Sequence, residues 1–291
     1  MPGEGLESGL GMPVTILCVG DVVGKPGRRL LAEHLPVLTR QRGIDLVVCN
    51  AENVAGGSGL TPQYFRKLLH YGVDVVTLGD HVYRRREIAT VLAESDRIVR
   101  PANISAQAAG KTWTVVPTKS GNCRVAVACV LGQLYMGGND SPWAAVDRLL
   151  DEMPAEVKVR VIDFHAQASG EKIAMGWHCD GRVSVVFGTH THVPTADARV
   201  LEKGAAYISD VGMTGPYDGV LGRRKDRVLY ALTTNMPAPF DVATGDPRLC
   251  AALAVVDETT GKALSIERIE VAGLKDPDAE TDNGPEEGKA T

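Results

Sequence analysis

Short apolar segments alternate with helical patterns along the first third of the chain. The apolar segments lie at 14–20, 46–49 and 73–78, and each ends in a polar, glycine-containing loop. The helical patterns follow them at 27–43, 62–71 and 85–94. This alternation predicts an α/β fold with parallel strands, because a parallel connection needs a crossover that is usually a helix.

The second half of the chain is richer in strands. Apolar segments at 124–130, 157–163, 183–187, 205–209, 251–256 and 264–271 have the length of strands. Several are close enough in sequence to pair antiparallel, so mixed sheets are expected. Without an internal repeat or a clear linker, a single domain over 14–273 is the simplest organisation. The polar segments at 1–13 and 274–291 are predicted to be disordered, because they cannot bury enough apolar surface to order themselves.

The formal charge of −5 belongs to the ends of the chain. Residues 276–291 contribute −5 and residues 1–11 contribute −2, so the rest of the chain sums to +2. A body this close to neutral argues against a protein that coats nucleic acid through a basic surface.

Two features predict a cytoplasmic protein. The apolar segment nearest the N-terminus, at 14–19, follows an acidic leader and is far shorter than the roughly 18 residues that a membrane span needs. The six cysteines are scattered without any CxxC pair, so neither disulfides nor a cysteine zinc site is expected.

Residues able to bind a metal recur at the ends of five predicted strands. They are Asp21, Asn50, Glu52, Asn53, Asp80, His81, His165, His190 and His192. In open α/β sheets the carboxyl ends of the strands meet at a shared crevice, where ligands bind. Carboxylates together with imidazoles suit zinc, manganese or iron.

Each signal alone is weak. His190 and His192 would point to the same side of an extended chain, but such a pair also occurs by chance. For Asp163, a hydrogen bond with its own backbone is the structural alternative to a role at the site. The combination favours a two-metal site, since about seven ligands are too many for one catalytic ion with an open position. The candidate ligands are Asp21, Glu52, Asn53, Asp80, His165, His190 and His192.

Six segments resemble the YmdB-like metallophosphoesterases of the calcineurin-like superfamily. They lie at 20–28, 50–61, 100–103, 163–177, 188–197 and 209–222. The resemblance implies an α/β fold of two mixed β-sheets flanked by helices. It also implies a 2′,3′-cyclic-nucleotide 2′-phosphodiesterase that forms 3′-nucleotides through attack by a metal-bound hydroxide.

The resemblance assigns roles to the same residues. The seven candidate ligands would hold two divalent or trivalent ions, with iron or manganese favoured over zinc or magnesium. Glu52 would bridge both ions, and His81 would be the catalytic residue that protonates the leaving oxygen. The expected partner is a small cyclic nucleotide or the phosphate at an RNA end, without a membrane, and a homo-oligomer is expected.

The sequence departs from the family pattern at two places. Residues 79–84 read GDHVYR where the family has GNHTWD, and Gln167 replaces a glutamate. Asp80 therefore adds a negative charge to the metal ligands, which leaves metal identity and substrate preference open. A phosphomonoesterase or nucleotidase is one alternative, and a metal-containing regulatory or RNA-associated protein with vestigial catalysis is another. Arg84, Arg85 and Arg86 either face the phosphate or begin a solvated helix, and a glycine-rich loop at 212–222 is expected near the site.

Overall fold

A computed structural model describes residues 12–274 of the 291-residue chain. The described residues form twelve strands: β1 (Pro13–Val19), β2 (Leu46–Asn50), β3 (Val75–Thr77), β4 (Trp113–Pro117), β5 (Arg124–Leu131), β6 (Val159–His165), β7 (Val185–Thr189), β8 (Arg199–Val200), β9 (Ala206–Ile208), β10 (Gly215–Pro216), β11 (Pro247–Asp257) and β12 (Ala263–Ala272). The helices are α1 (Gly24–Arg42), α2 (Pro62–Tyr71), α3 (Ile88–Glu94), α4 (Pro142–Glu152), α5 (Ser169–Cys179) and α6 (Lys225–Thr234). The disorder predicted for the two ends falls almost entirely outside the described residues.

The strands form two mixed six-stranded sheets. The first has the order β10-β11-β1-β2-β3, with β12 paired to β11, and the second has the order β4-β5-β6-β7-β9-β8. Strands β1, β2 and β3 are parallel, as are β5, β6, β7 and β9, whereas β11 and β4 pair antiparallel with their neighbours. The predicted class, two mixed β-sheets flanked by helices, is confirmed.

The two sheets pack face to face, and helices cover their outer faces. In β1, Ile16 and Cys18 point into the core between the sheets, while Leu17 and Val19 point towards the helices. This alternation follows from the two-residue period of a strand. Because both faces of the central strands are buried, they carry the nearly continuous apolar runs seen in the sequence.

Several elements differ from the sequence prediction. α3 begins at Ile88 instead of 85, because 79–87 forms turns. The strand β4 and the helices α4, α5 and α6 were not predicted. In α5, Gly176 weakens the helical signal, but a side chain there would collide with the Tyr207 ring, so tertiary packing requires the glycine. Within residues 12–274, no helix is both long enough and apolar enough to cross a membrane.

Candidate metal centre

Four side chains bring their donor atoms together where the ends of the two sheets meet. They belong to Glu52, Asp80, His165 and His190, and one donor atom from each lies within 4.8 Å of the others. His165 Nε2 lies 3.1 Å from Asp80 Oδ1, 3.3 Å from Glu52 Oε1 and 3.0 Å from His190 Nδ1. Two carboxylates and two imidazoles converging in this way can hold a metal ion.

The loops after the parallel strands deliver these residues. Glu52 follows β2, and its backbone N–H donates to Asn50 Oδ1 at 3.2 Å, which fixes the turn. Asp80 follows β3, and His165 is the last residue of β6. A Cβ atom on Gly79 would collide with the Glu52 carboxylate and the His165 ring, so only glycine lets the β3 loop pass this close.

Asp21 and His192 extend the cluster on the β1 side. Asp21 is fully buried, and its Oδ2 accepts the His190 backbone N–H at 3.0 Å. Within residues 12–274, its buried Oδ1 has no hydrogen-bond partner, and it lies 3.9 Å from His192 Nε2. Because a buried, unsatisfied carboxylate oxygen is costly, this atom fits a site for a cation.

The electrostatics also fit a cation. Burial opposes a charge on His165, but Glu52, Asp80 and Asp21 outweigh it and hold the pKa of the ring well above its usual value. Burial likewise opposes ionisation of Glu52 and Asp80, yet the neighbouring histidines lower the pKa of both carboxyl groups. The cluster is thus a group of ionised carboxylates that attracts positive charge.

The expectation that His190 and His192 share one side of an extended chain is wrong. Both have positive φ values, 90° and 65°, because the backbone turns sharply after β7. The two rings consequently present different nitrogens. His190 turns Nδ1 towards His165, whereas His192 Nδ1 lies 3.1 Å from the Leu221 carbonyl oxygen and its Nε2 faces Asp21.

His81 lies beside the cluster and is about one quarter exposed. Its Nδ1 lies 2.8 Å from Asn53 Oδ1 and 3.3 Å from Glu52 Oε1, and its Nε2 is 3.6 Å from Asp80 Oδ2. The hydrogen bond to Glu52 raises the pKa of His81, although burial and the charge of Arg84 oppose this.

Asn53 connects His81 to His192. Its oxygen accepts from His81, and its Nδ2 lies 3.1 Å from Glu52 Oε1 and 3.3 Å from His192 Nε2. The side chain is therefore next to the cluster, while its role as a metal ligand stays a prediction.

The sequence left open a hydrogen bond between Asp163 and its own backbone, and the structure shows other partners instead. The Asp163 carboxylate is fully buried and accepts hydrogen bonds from the side chains of Asn50, Thr77 and Thr189. Burial raises its pKa to about 6, although His165 and these hydrogen bonds counteract the shift. The period of two in β6 could have identified it, because Asp163 and His165 share one face of the strand.

A buried ion pair that the sequence analysis missed fixes the turn of His190 and His192. Lys172 Nζ lies 2.5 Å from Asp210 Oδ2 and donates to the Thr189 carbonyl at 2.6 Å. Asp210 Oδ2 also accepts hydrogen bonds from the backbone N–H and the hydroxyl of Thr191. Asp210 Oδ1 accepts the backbone N–H of Gly212. This pair positions the loop that carries both histidines.

Two segments left open by the sequence also lie near the cluster. Arg84 and Arg86 are exposed in the turns before α3, so they do not begin a helix, and the charge of Arg84 is felt at His81. The Leu221 carbonyl at His192 places the end of the predicted 212–222 loop beside the site. Arg223 follows this loop directly, and its guanidinium group donates to the carbonyl oxygens of Gly56 and Gly57. These hydrogen bonds connect the end of the 212–222 loop to the loop after β2.

Comparisons with known proteins agree with this architecture. A protein of Bacillus subtilis (strain 168) named 2′,3′-cyclic-nucleotide 2′-phosphodiesterase is 42% identical over 254 residues, which cover 87% of this chain and 96% of that protein. A hypothetical protein from Thermus thermophilus superposes with a TM-score of 0.84 at 37% identity, covering 90% of this chain and all of that one. A novel phosphatase from Mycoplasma pneumoniae superposes with a TM-score of 0.85 at 30% identity, covering 92% and 96%.

The family comparison covers nearly the whole described region. A family model described as YmdB-like protein matches residues 17–269, which span all the candidate site residues. The resemblance found in the six sequence segments is thereby confirmed, and the chain belongs to the YmdB-like family.

Proposed function

We propose that this chain is a metal-dependent phosphodiesterase that hydrolyses 2′,3′-cyclic nucleotides to 3′-nucleotides. The observation that carries the proposal is the convergence of Glu52, Asp80, His165 and His190, with His81 beside them. The Bacillus subtilis relative bears the name of this activity. The substrate would be a small cyclic nucleotide or the cyclic phosphate at an RNA end.

The residues divide into two sets of ligands that share Glu52. Asp80, His165 and His190 would hold one ion with Glu52, and Asp21, Asn53 and His192 would hold a second. When bound, the ions would supply positive charge to the phosphate and lower the pKa of an attacking water molecule. The mixed oxygen and nitrogen donors suit zinc, manganese or iron. The family resemblance favours iron or manganese, with zinc or magnesium as alternatives.

His81 would protonate the leaving 2′-oxygen. Asn53 Oδ1 accepts from Nδ1 and thereby orients the ring, which leaves Nε2 outside this hydrogen bond and 3.6 Å from Asp80 Oδ2. The pKa of His81, raised chiefly by its hydrogen bond to Glu52, favours the protonated ring that a general acid needs.

His81→Ala should lower kcat by about 10²- to 10⁴-fold, the range typical of a lost general acid. Metal content, measured by elemental analysis, should equal that of the unchanged protein. His178→Ala is the matched control, since His178 pairs with Asp147 away from the cluster and should leave kcat within about twofold of the unchanged protein. Loss of metal in His81→Ala would contradict this separation of roles.

A substrate panel with metal-reconstituted protein tests the proposed function. Turnover of 2′,3′-cyclic AMP to 3′-AMP should exceed that of 3′,5′-cyclic AMP and p-nitrophenyl phosphate by at least about tenfold, which corresponds to about 1.4 kcal/mol of transition-state binding. Preferred hydrolysis of a phosphomonoester would favour the nucleotidase alternative. Bound metal without any hydrolysis would favour the regulatory alternative.

The structure also supports a homo-oligomer in the cytoplasm. Leu229, Tyr230 and Leu232 of α6 and the nearby Met236 and Phe240 are all about half exposed or more. Because exposed apolar side chains commonly mark protein contacts, we propose that a second copy covers these residues. Light scattering on the purified protein measures the assembly.

All six cysteines are free, which supports a reducing compartment.

A further inference from the structure

The hydroxyl group of Thr189 lies between Asp163 and His165, beneath the cluster of Glu52, Asp80, His165 and His190. Thr189 Oγ1 is 2.7 Å from Asp163 Oδ1 and 2.8 Å from His165 Nδ1, and all three residues are fully buried. The parallel register of β6 and β7, which places His165 opposite Thr189, creates this contact.

The surroundings of Asp163 set the direction of the two hydrogen bonds. Its carboxylate receives the Asn50 amide at 2.9 Å and the Thr77 hydroxyl on Oδ2. The amide orientation is fixed, because Asn50 Oδ1 accepts the Glu52 N–H. Asp163 is therefore an acceptor, and Thr189 directs its single hydrogen to it.

Because the hydroxyl hydrogen of Thr189 is used in this way, the Thr189 oxygen can only accept a further hydrogen bond. The donor is then His165 Nδ1–H. The Asn50 Nδ2 atom lies 3.4 Å from the same ring nitrogen and 3.5 Å from Thr189 Oγ1. It competes only weakly, since its shorter hydrogen bond goes to Asp163.

We propose that Thr189 is a positioning residue that keeps the proton of His165 on Nδ1 and so turns the lone pair of Nε2 towards the cluster. Nε2 is the ring nitrogen that faces Asp80, Glu52 and His190. A metal ion would replace the proton on Nε2, while the other ring proton stays on Nδ1 and is donated to Thr189 Oγ1. Hydrogen-bond partners of this kind fix the tautomer and orientation of ligating histidines. The inference rests on the ligand role of His165 in the proposed function.

Thr189→Val removes the hydroxyl with little change in volume, and Thr189→Ser keeps it. Zn²⁺ affinity, measured by chelator competition without substrate, should fall by about 10- to 100-fold in the valine variant and stay near that of the unchanged protein in the serine variant. Thr77→Val is the matched control, because Thr77 is equally buried and donates to the same carboxylate, but within residues 12–274 it forms no hydrogen bond with His165. Its affinity should change by no more than about threefold.

The second measurement is nitrogen-15 NMR of histidine-labelled, zinc-loaded protein. The slowly exchanging Nδ1 proton of His165 should persist with serine and exchange faster with valine, while His192, bonded to the Leu221 carbonyl, serves as the internal reference. Equal losses of affinity in Thr189→Val and Thr77→Val, or no loss, would overturn the inference, as would the absence of zinc binding. Zinc binding that depends on Thr189 in a protein without hydrolytic activity would contradict only the proposed function.

Discussion

Replacing Glu52 with glutamine should lower kcat by at least about 10³-fold, a loss of about 4 kcal/mol of transition-state stabilisation. Glu52 is almost fully buried, and its Oε1 lies 3.3 Å from both His165 Nε2 and His81 Nδ1. Glutamine keeps the size of the side chain but removes the charge and replaces one ligand oxygen with an amide group. Because Glu52 is the one carboxylate proposed to serve both ions, both should bind more weakly.

Elemental analysis and steady-state kinetics check this prediction together. The matched control is Glu171→Gln, because Glu171 is also a buried glutamate but accepts the backbone N–H groups of Gln133 and Leu134 outside the cluster. This control should keep its metal and most of its kcat. Full metal content and undiminished kcat in Glu52→Gln would show that the cluster is not the catalytic centre.

The location of the site could be predicted because it follows from general properties of parallel sheets. Asp21, Glu52 and Asp80 come two or three residues after the ends of apolar strands, and strands of one direction end at one edge. The sequence alone cannot show that two separate sheets bring their edges together. That arrangement depends on apolar faces such as those of Ile16 and Phe187 meeting in the core between the sheets.

The supporting residues were harder to recognise because their partners are distant in sequence. Lys172 has no local sequence signal, because its partner Asp210 lies 38 positions later in the chain. The left-handed backbone of His190 and His192 could not be predicted from the sequence for the same reason. The turn depends on the hydrogen bond from the Thr191 N–H to Asp210, which is distant in sequence. Local sequence patterns predict strands and their ends, whereas these contacts exist only after the sheets have packed.

Lys172→Met should lower the free energy of unfolding by about 3–5 kcal/mol, because it leaves the buried Asp210 carboxylate without its countercharge. Lys172 and Asp210 are 2% and 1% exposed, so water cannot replace the lost ammonium group. Methionine retains much of the apolar stem, which separates the loss of charge from the loss of packing. Urea denaturation of the metal-free protein measures the change.

Lys225→Met is the matched control for this measurement. Lys225 forms a lysine–aspartate pair with Asp218 at a similar distance, 2.6 Å, but both side chains are more than half exposed. Water screens such a pair, so its loss should cost no more than about 1 kcal/mol. Adding Asp210→Asn to Lys172→Met should recover part of the stability, because the unpaired charge is then gone. If Lys172→Met cost no more than Lys225→Met, the buried pair would not hold the histidine turn in place.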